Sequence, residues 1–226
     1  MSVVYWPRDL LKPRHAAINP APATVAGPAS LSGFRQAVAS PAGVWAITYD
    51  TIAVASAVQR KVFRALAAQI EGRITPIVLP VYDRADLRPV GAVTTAAADV
   101  SHSDGANHDD GTGYAHGRIH ATVQQAVARS ATQMTIDMHV GAGPEPGQHV
   151  SIGLRLYRIK SIVNVTGNRT TCTFWPPARE DILAGAECEF DKPVCKVRLI
   201  DDAGLDLTLD TGRHGFPSIT FIEDPT

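Results

Sequence analysis

Only one stretch of this chain has the period of an α-helix, and this scarcity limits the folds that are open to it. Ser56 can cap the helix, and Gln59 stands at the capping-box position three residues later. Its apolar stripe consists of Val58, Val62, Phe63, Leu66 and Ile70. Gly72 supplies a C-terminal stop signal. We therefore expect one amphipathic helix that packs on a sheet.

The other periodic segments have the features of short strands. Trp45, Ile47 and Tyr49 alternate along one face of a predicted strand. Similar patterns predict strands at 133–140 and 218–223, an edge strand at 75–82, and hairpins of 151–165 with 169–175 and of 194–200 with 205–209. There is no alternation of strands with helices. The predicted fold class is α+β, mainly β: an antiparallel β-sandwich or partly open β-barrel with one packed α-helix and a long polar loop.

Two regions depart from this pattern. Residues 1–43 are rich in proline, which fixes φ and removes a backbone donor, so we predict an extended N-terminal arm. Its apolar side chains Val3, Tyr5, Trp6, Leu10 and Leu11 need a covering surface, in this subunit or in a neighbour. Residues 99–120 are dominated by Gly, Asp and Ser and predict a long loop. The predicted organisation is therefore an arm at 1–43 and one β-rich domain at 44–226 with a loop insertion at about 99–120.

Composition limits the classes of partner. Apolar residues make up 45% and charged residues 19%, as in a globular protein. The net charge of −1 argues against nucleic-acid binding through phosphate neutralisation. Cys172, Cys188 and Cys195 lack CxxC spacing and predict reduced thiols in a protein matured in the cytoplasm. With no apolar run of roughly 18 residues and no signal-peptide core, we expect a soluble protein without membrane insertion or a sequence-encoded route out of the cell.

One loop carries side chains that could bind a metal. They are His102, Asp104, His108, Asp109, Asp110, His116 and His120. Imidazoles and carboxylates are ligands for zinc or manganese, but the spacing matches neither a helical HExxH motif nor a calcium loop. We interpret the loop as a solvated interaction element that binds no catalytic metal. The alternatives are a metal site formed by His102, His108, His116 and His120, and a metal-dependent enzyme that uses this loop.

Motifs for other chemistry are missing from the sequence. It contains no G-x-S-x-G elbow, no phosphate-binding glycine loop and no cysteine in a catalytic signature, so we predict no enzyme activity, no catalytic residues and no cofactor. His139 and His149 are expected to be hydrogen-bonded structural residues. Trp175, which precedes two prolines, is expected to anchor a core. An alternative is a carbohydrate- or receptor-binding platform formed by Trp45, Trp175 and Tyr157.

The C-terminal third contains a recurring order of motifs. It runs through Pro146–Gly153, Leu156–Ile159, Thr173–Arg179, Ala184-Gly185 and Pro193–Leu199. Trp45, the predicted helix, the segment Pro80–Arg84 and the closing strand Ser218–Glu223 continue the pattern. Over about residues 40–95 and 130–226 the chain resembles the distal tail proteins of long-tailed phages and prophages. Residues 1–43 and the His/Asp loop match no part of that family's pattern.

The resemblance implies a structural virion protein. Members of that family form a hexameric ring that joins the tail tube to the baseplate hub, with a β-sandwich or barrel core and no catalytic residues. The implied partners are further copies of the chain, the tail tube protein, and the baseplate hub and tail-tip proteins. The implied location is the phage tail, after assembly in the host cytoplasm. A different tail-tube or tail-completion ring protein, and a receptor-binding tail-tip module, are the alternatives.

Overall fold

The structure is a computed structural model that describes residues 3–29, 31–82, 87–89, 119–210 and 214–226. Its elements are β1 (Val4–Tyr5), β2 (Pro13–Ala29), β3 (Arg35–Ile52), α1 (Ala57–Ile70), β4 (Ile77–Pro80), β5 (His120–Val123), β6 (Gln133–Val140), β7 (His149–Ile152), β8 (Arg155–Thr166), β9 (Arg169–Trp175), β10 (Cys188–Glu189), β11 (Val194–Leu199) and β12 (Ile219–Glu223). Over the described residues, this content confirms the predicted mainly β, α+β fold class with one helix.

The chain divides into two compact units. Unit 1 comprises Met1–Tyr82 and Val194–Thr226, and unit 2 comprises Asp83–Pro193. In unit 1, β4 and β11 are antiparallel neighbours, with Pro80 opposite Val194. Unit 2 therefore interrupts the chain between two adjacent strands of unit 1. The prediction of one domain over 44–226 is corrected, because strand patterns in a sequence do not reveal which strands share a sheet.

The six strands of unit 1 form one sheet in the order β1-β4-β11-β12-β3-β2. The predicted face of β3 is confirmed, since Trp45, Ile47 and Tyr49 are fully buried. The capping box of α1 is also confirmed: the Ser56 side chain accepts the Gln59 N–H at 3.1 Å. The buried face of the helix is Phe63, Leu66 and Ile70, whereas Val58 is exposed. The apolar stripe is thus shorter than the sequence predicted.

The beginning of the chain is part of the unit 1 core. The Trp6 backbone N–H donates to the Val78 carbonyl at 3.0 Å, and its indole N–H donates to the Leu11 carbonyl at 2.8 Å. The Trp6 ring meets Tyr49 and Phe221 edge to face at centroid distances of 5.4 and 6.0 Å. Burial raises the pKa of Tyr49 well above its usual range, so its hydroxyl stays protonated and donates to the Pro80 carbonyl. These contacts make residues 3–11 an internal anchor.

The predicted arm at 1–43 is therefore corrected. Trp6 and Leu11 are buried in the chain's own core, and residues from Pro13 onward form the long hairpin of β2 and β3. The predicted boundary at residue 43 falls inside β3. Proline is compatible with β2 because β2 is an edge strand of the sheet.

Three other strand predictions need correction. The segment predicted as an edge strand is β4, which is an inner strand. β11 pairs with one side of β4, and β1 pairs in parallel with the other side. The predicted strand 151–165 is divided into β7 and β8 by a turn at Gly153, whose φ is 59°. Residues 205–209 form no strand, and the partners of β11 are β4 and β12 instead. The first and third errors concern pairing between segments that are distant in sequence, and the second concerns a local turn.

Unit 2 has its own sheet and its own core. The strand order is β10-β7-β8-β9-β6-β5, and a bridge between Thr122 and Glu187 brings β5 beside the segment that enters β10. The sheet is therefore nearly closed and barrel-like. Alternating side chains of β6 (Met134, Ile136 and Met138) point into this core, as predicted. Most of the predicted loop at 99–120 lies outside the described residues, which resume at Ile119.

Candidate assembly interface

The hairpin of β2 and β3 continues beyond the sheet of unit 1 as a two-stranded ribbon. β12 pairs with β3 only as far as Ala46, and the Glu223 carboxylate accepts the next β3 donor, the Trp45 N–H, at 3.1 Å. Past that point, among the described residues, β3 pairs with β2 alone. This pairing extends from Ala21 opposite Val44 to Ala29 opposite Arg35. Residues 21–29 and 35–44 are called the ribbon below. At the usual rise of a strand it is about 25 Å long.

The ribbon is apolar and almost free of charge. Arg35 is the only Asp, Glu, Lys or Arg in the sequence from Ala16 to Tyr49. Val25 and Val38 lie opposite each other across the two strands and are 74% and 63% exposed. Leu31 and Phe34, at the turn, are exposed as well. Exposed apolar surface of this extent is typical of a protein interface.

Proline limits how the ribbon can contact a partner. β2 contains four prolines, at positions 13, 20, 22 and 28. Each removes an N–H donor from an edge strand, which is how natural sheets avoid unwanted pairing along an edge. Continuous addition of another strand along β2 is therefore disfavoured. We infer that a partner would pack on the faces of the ribbon, where the valines lie.

A free ribbon of this kind is expected to be unstable by itself. An isolated two-stranded hairpin is marginal in water unless a further layer covers it. Here two register shifts, after Ala21 and after Ala26, interrupt the pairing as well. With Arg35 as its one charged residue, the ribbon gains little solubility from charge. The ribbon therefore has the chemistry of a segment that another polypeptide surface covers.

Of the metal ligands predicted in the loop, the structure describes only His120. His102, His108 and His116, with Asp104, Asp109 and Asp110, lie outside the described residues. His120 is exposed at the start of β5, and its ring centre is 4.8 Å from that of His139 on β6. Within the described ranges, no three His, Cys, Asp or Glu side chains gather as a metal-binding group.

The predicted aromatic platform is contradicted by the structure. Trp45 and Tyr157 are fully buried, the first in unit 1 and the second in unit 2. Trp175 is partly exposed at the end of β9, so the expectation that it anchors a core is wrong too. Alternation along β9 directs Cys172 and Phe174 inward and leaves Trp175 on the other face. No shared surface can therefore be formed by these three rings.

The remaining candidates for chemistry are hydrogen-bonded histidines and buried thiols. His149 accepts a hydrogen bond from the Arg158 Nε–H at 3.0 Å, and His139 bonds to the Thr122 hydroxyl, as predicted for structural histidines. All three cysteines are buried, and none of them forms a disulfide. Burial raises the pKa of Cys172 and that of Cys188 to about 12. Such thiols stay protonated at neutral pH and are poor nucleophiles or metal ligands.

Comparison with known proteins leaves the family open. No family model matches this sequence. The curated proteins contain no significant match to it either. In the part of the chain that the structure describes, no helix has the length and apolarity needed to span a membrane.

Sequence reasoning missed the ribbon, although a signal for it was present. The long run without acidic or basic residues, together with Val25 and Val38, marks a surface that avoids water. Proline concealed it, because prolines suggested irregular chain where the structure has an edge strand.

Proposed function

We propose that this chain is a structural subunit that assembles with copies of itself into a closed ring, and that the ring is the hexamer at the distal end of a phage tail. One observation carries the proposal: the exposed, apolar ribbon with a single charged residue, which needs a covering surface. The resemblance to distal tail proteins supplies the ring order and the location. The chain would then be a virion component that is assembled in the host cytoplasm.

A ring requires that the ribbon make a heterologous contact. A ribbon that projects from one copy and packs on a different surface of the next copy makes a heterologous contact, which closes into a ring when the rotation between copies is suitable. Burial of one exposed valine contributes about 1.5–3 kcal/mol, so the apolar side chains of each ribbon can stabilise such a contact substantially.

The proposed partners follow from the location. The tail tube protein would stack on one face of the ring, and baseplate hub and tail-tip proteins on the other. The role is mechanical, so we propose no enzyme activity, no cofactor and no sequence-specific nucleic-acid contact.

Labelling of intact particles tests the location. Antibodies against this chain, applied to particles produced by the host strain, are expected to bind at a single level, where the tail tube meets the baseplate. Antibodies against the tube protein serve as the control and should label the whole tube. Label along the whole tube would instead identify the chain as a tube subunit. A lack of label on particles, together with free protein in the lysate, would contradict a virion role.

A further inference from the structure

Unit 2 has a pair of histidines that a β-bulge brings together. His120 is opposite Val140, whereas the next residue, Ala121, is opposite Met138. His139 is thus the extra residue of the bulge. Bulges of this kind re-aim a side chain and are frequent beside functional sites. Here the result is that the His120 and His139 ring centres are 4.8 Å apart, with the planes inclined by 34°.

This separation fits two ligands of one metal ion. With a metal–nitrogen distance of about 2.0–2.1 Å and a tetrahedral angle at the metal, the centres of two ligating imidazoles would be roughly 5 Å apart. The observed 4.8 Å agrees with that value. His120 is exposed and His139 is half-buried, so an ion can reach the pair from solvent.

The Thr122 hydroxyl orients one of the two rings. Its oxygen is 2.9 Å from His139 Nε2. Metal-binding histidines usually donate their second ring N–H to such an oxygen, which fixes the ring and the tautomer. With the proton on Nε2, the lone pair that binds a metal is on Nδ1. Thr122 is therefore a positioning residue in this arrangement.

One carboxylate on the same strand as His139 is already engaged. Asp137 precedes His139 by two residues on β6, and its oxygens are bonded by the Asn168 amide and by Arg169 Nε, the latter at 3.3 Å. A third ligand from it would require these bonds to break. Water would then complete the coordination. Imidazole is a suitable ligand for divalent transition metals such as Zn²⁺, Ni²⁺ and Cu²⁺, so the site favours one of these ions.

The geometry points to a surface site in which His120 and His139 together bind one divalent transition-metal ion. The site differs from the four-histidine loop site considered from the sequence, because it uses His139 and needs none of His102, His108 and His116. Both ligands belong to unit 2, whereas the ribbon belongs to unit 1.

Calorimetric titration of the full-length chain with Ni²⁺ or Zn²⁺ at neutral pH tests this site. A background variant with His102, His108 and His116 replaced by Asn is expected to bind one ion as tightly as the unsubstituted chain does at this site. Adding His120→Asn or His139→Asn to that background should abolish binding. Thr122→Val should weaken it by about tenfold. His214→Asn, at an exposed position outside unit 2, is the matched control and should change nothing.

Cu²⁺ electron paramagnetic resonance on the same background gives a second reading. Two nitrogen ligands are expected, reduced to one or none by His120→Asn. Because the His120 side chain is exposed, its replacement leaves the fold intact, and a circular dichroism spectrum verifies this for each variant. Loss of all binding in the triple Asn background, or unchanged binding after His120→Asn, would overturn the proposal.

Discussion

Replacement of Trp6 by alanine is expected to destabilise unit 1 by about 3–5 kcal/mol, as is usual when a large buried aromatic side chain is removed. Trp6 is 4% exposed and contacts both Tyr49 and Phe221, so its removal opens a cavity in the centre of the core. Its indole N–H also holds the Leu11 carbonyl in place. A loss of this size is a large part of the stability of an ordinary domain.

Urea unfolding followed by tryptophan fluorescence measures this effect. The chain has three tryptophans, and Trp175 alone is in unit 2. In a Trp175→Phe background, Trp45 therefore reports the unfolding of unit 1. Tyr5→Ala is the matched control, because Tyr5 is adjacent in β1 but 62% exposed, and it should change stability by no more than about 0.5 kcal/mol. Equal losses for the two variants would show that the N-terminal anchor is not part of the core.

Removal of the ribbon is expected to abolish self-assembly and to leave unit 1 folded. Residues 22–43 can be replaced by Asn-Gly, which forms the turn that two-residue hairpins favour. The pairing of β2 with β3 then remains from Pro13 opposite Ile52 to Ala21 opposite Val44. The pairing of β3 with β12 remains as well. Light scattering should then give the mass of a monomer, while Trp45 fluorescence should retain its native emission.

A double substitution tests the ribbon without shortening it. Val25→Lys with Val38→Glu places opposite charges on facing residues, which preserves cross-strand attraction but makes the faces polar. Loss of two buried valines, at about 1.5–3 kcal/mol each, should weaken association by roughly 100-fold or more. Val163→Lys is the control: Val163 is 57% exposed, on β8 of unit 2. Assembly that survives the double substitution but fails in the control would place the interface elsewhere.

Local patterns predicted the elements whose signals are local. The buried face of β3 and of β6, and the capping box at Ser56, were confirmed because alternation and capping depend on neighbouring residues. Pairing between distant segments was less accessible. The proline at position 80 suggested an edge, but β4 is covered by β1, which begins more than seventy residues earlier.

The candidate sites also combine residues that the sequence pattern can suggest with contacts that depend on strand pairing. His120 was selected from the composition of its loop, whereas His139 became its neighbour only through a bulge in the pairing of β5 with β6. The ribbon depends on where β12 stops beside β3, and no pattern within residues 21–44 encodes that end point.

Electron microscopy of the purified full-length protein tests the central claim most directly. We predict closed hexameric rings in which the ribbon of each copy lies on the next copy, with density on both faces of the ribbon. A monomer whose ribbon is surrounded by solvent, or a two-fold pair in which the ribbons are uncovered, would contradict it.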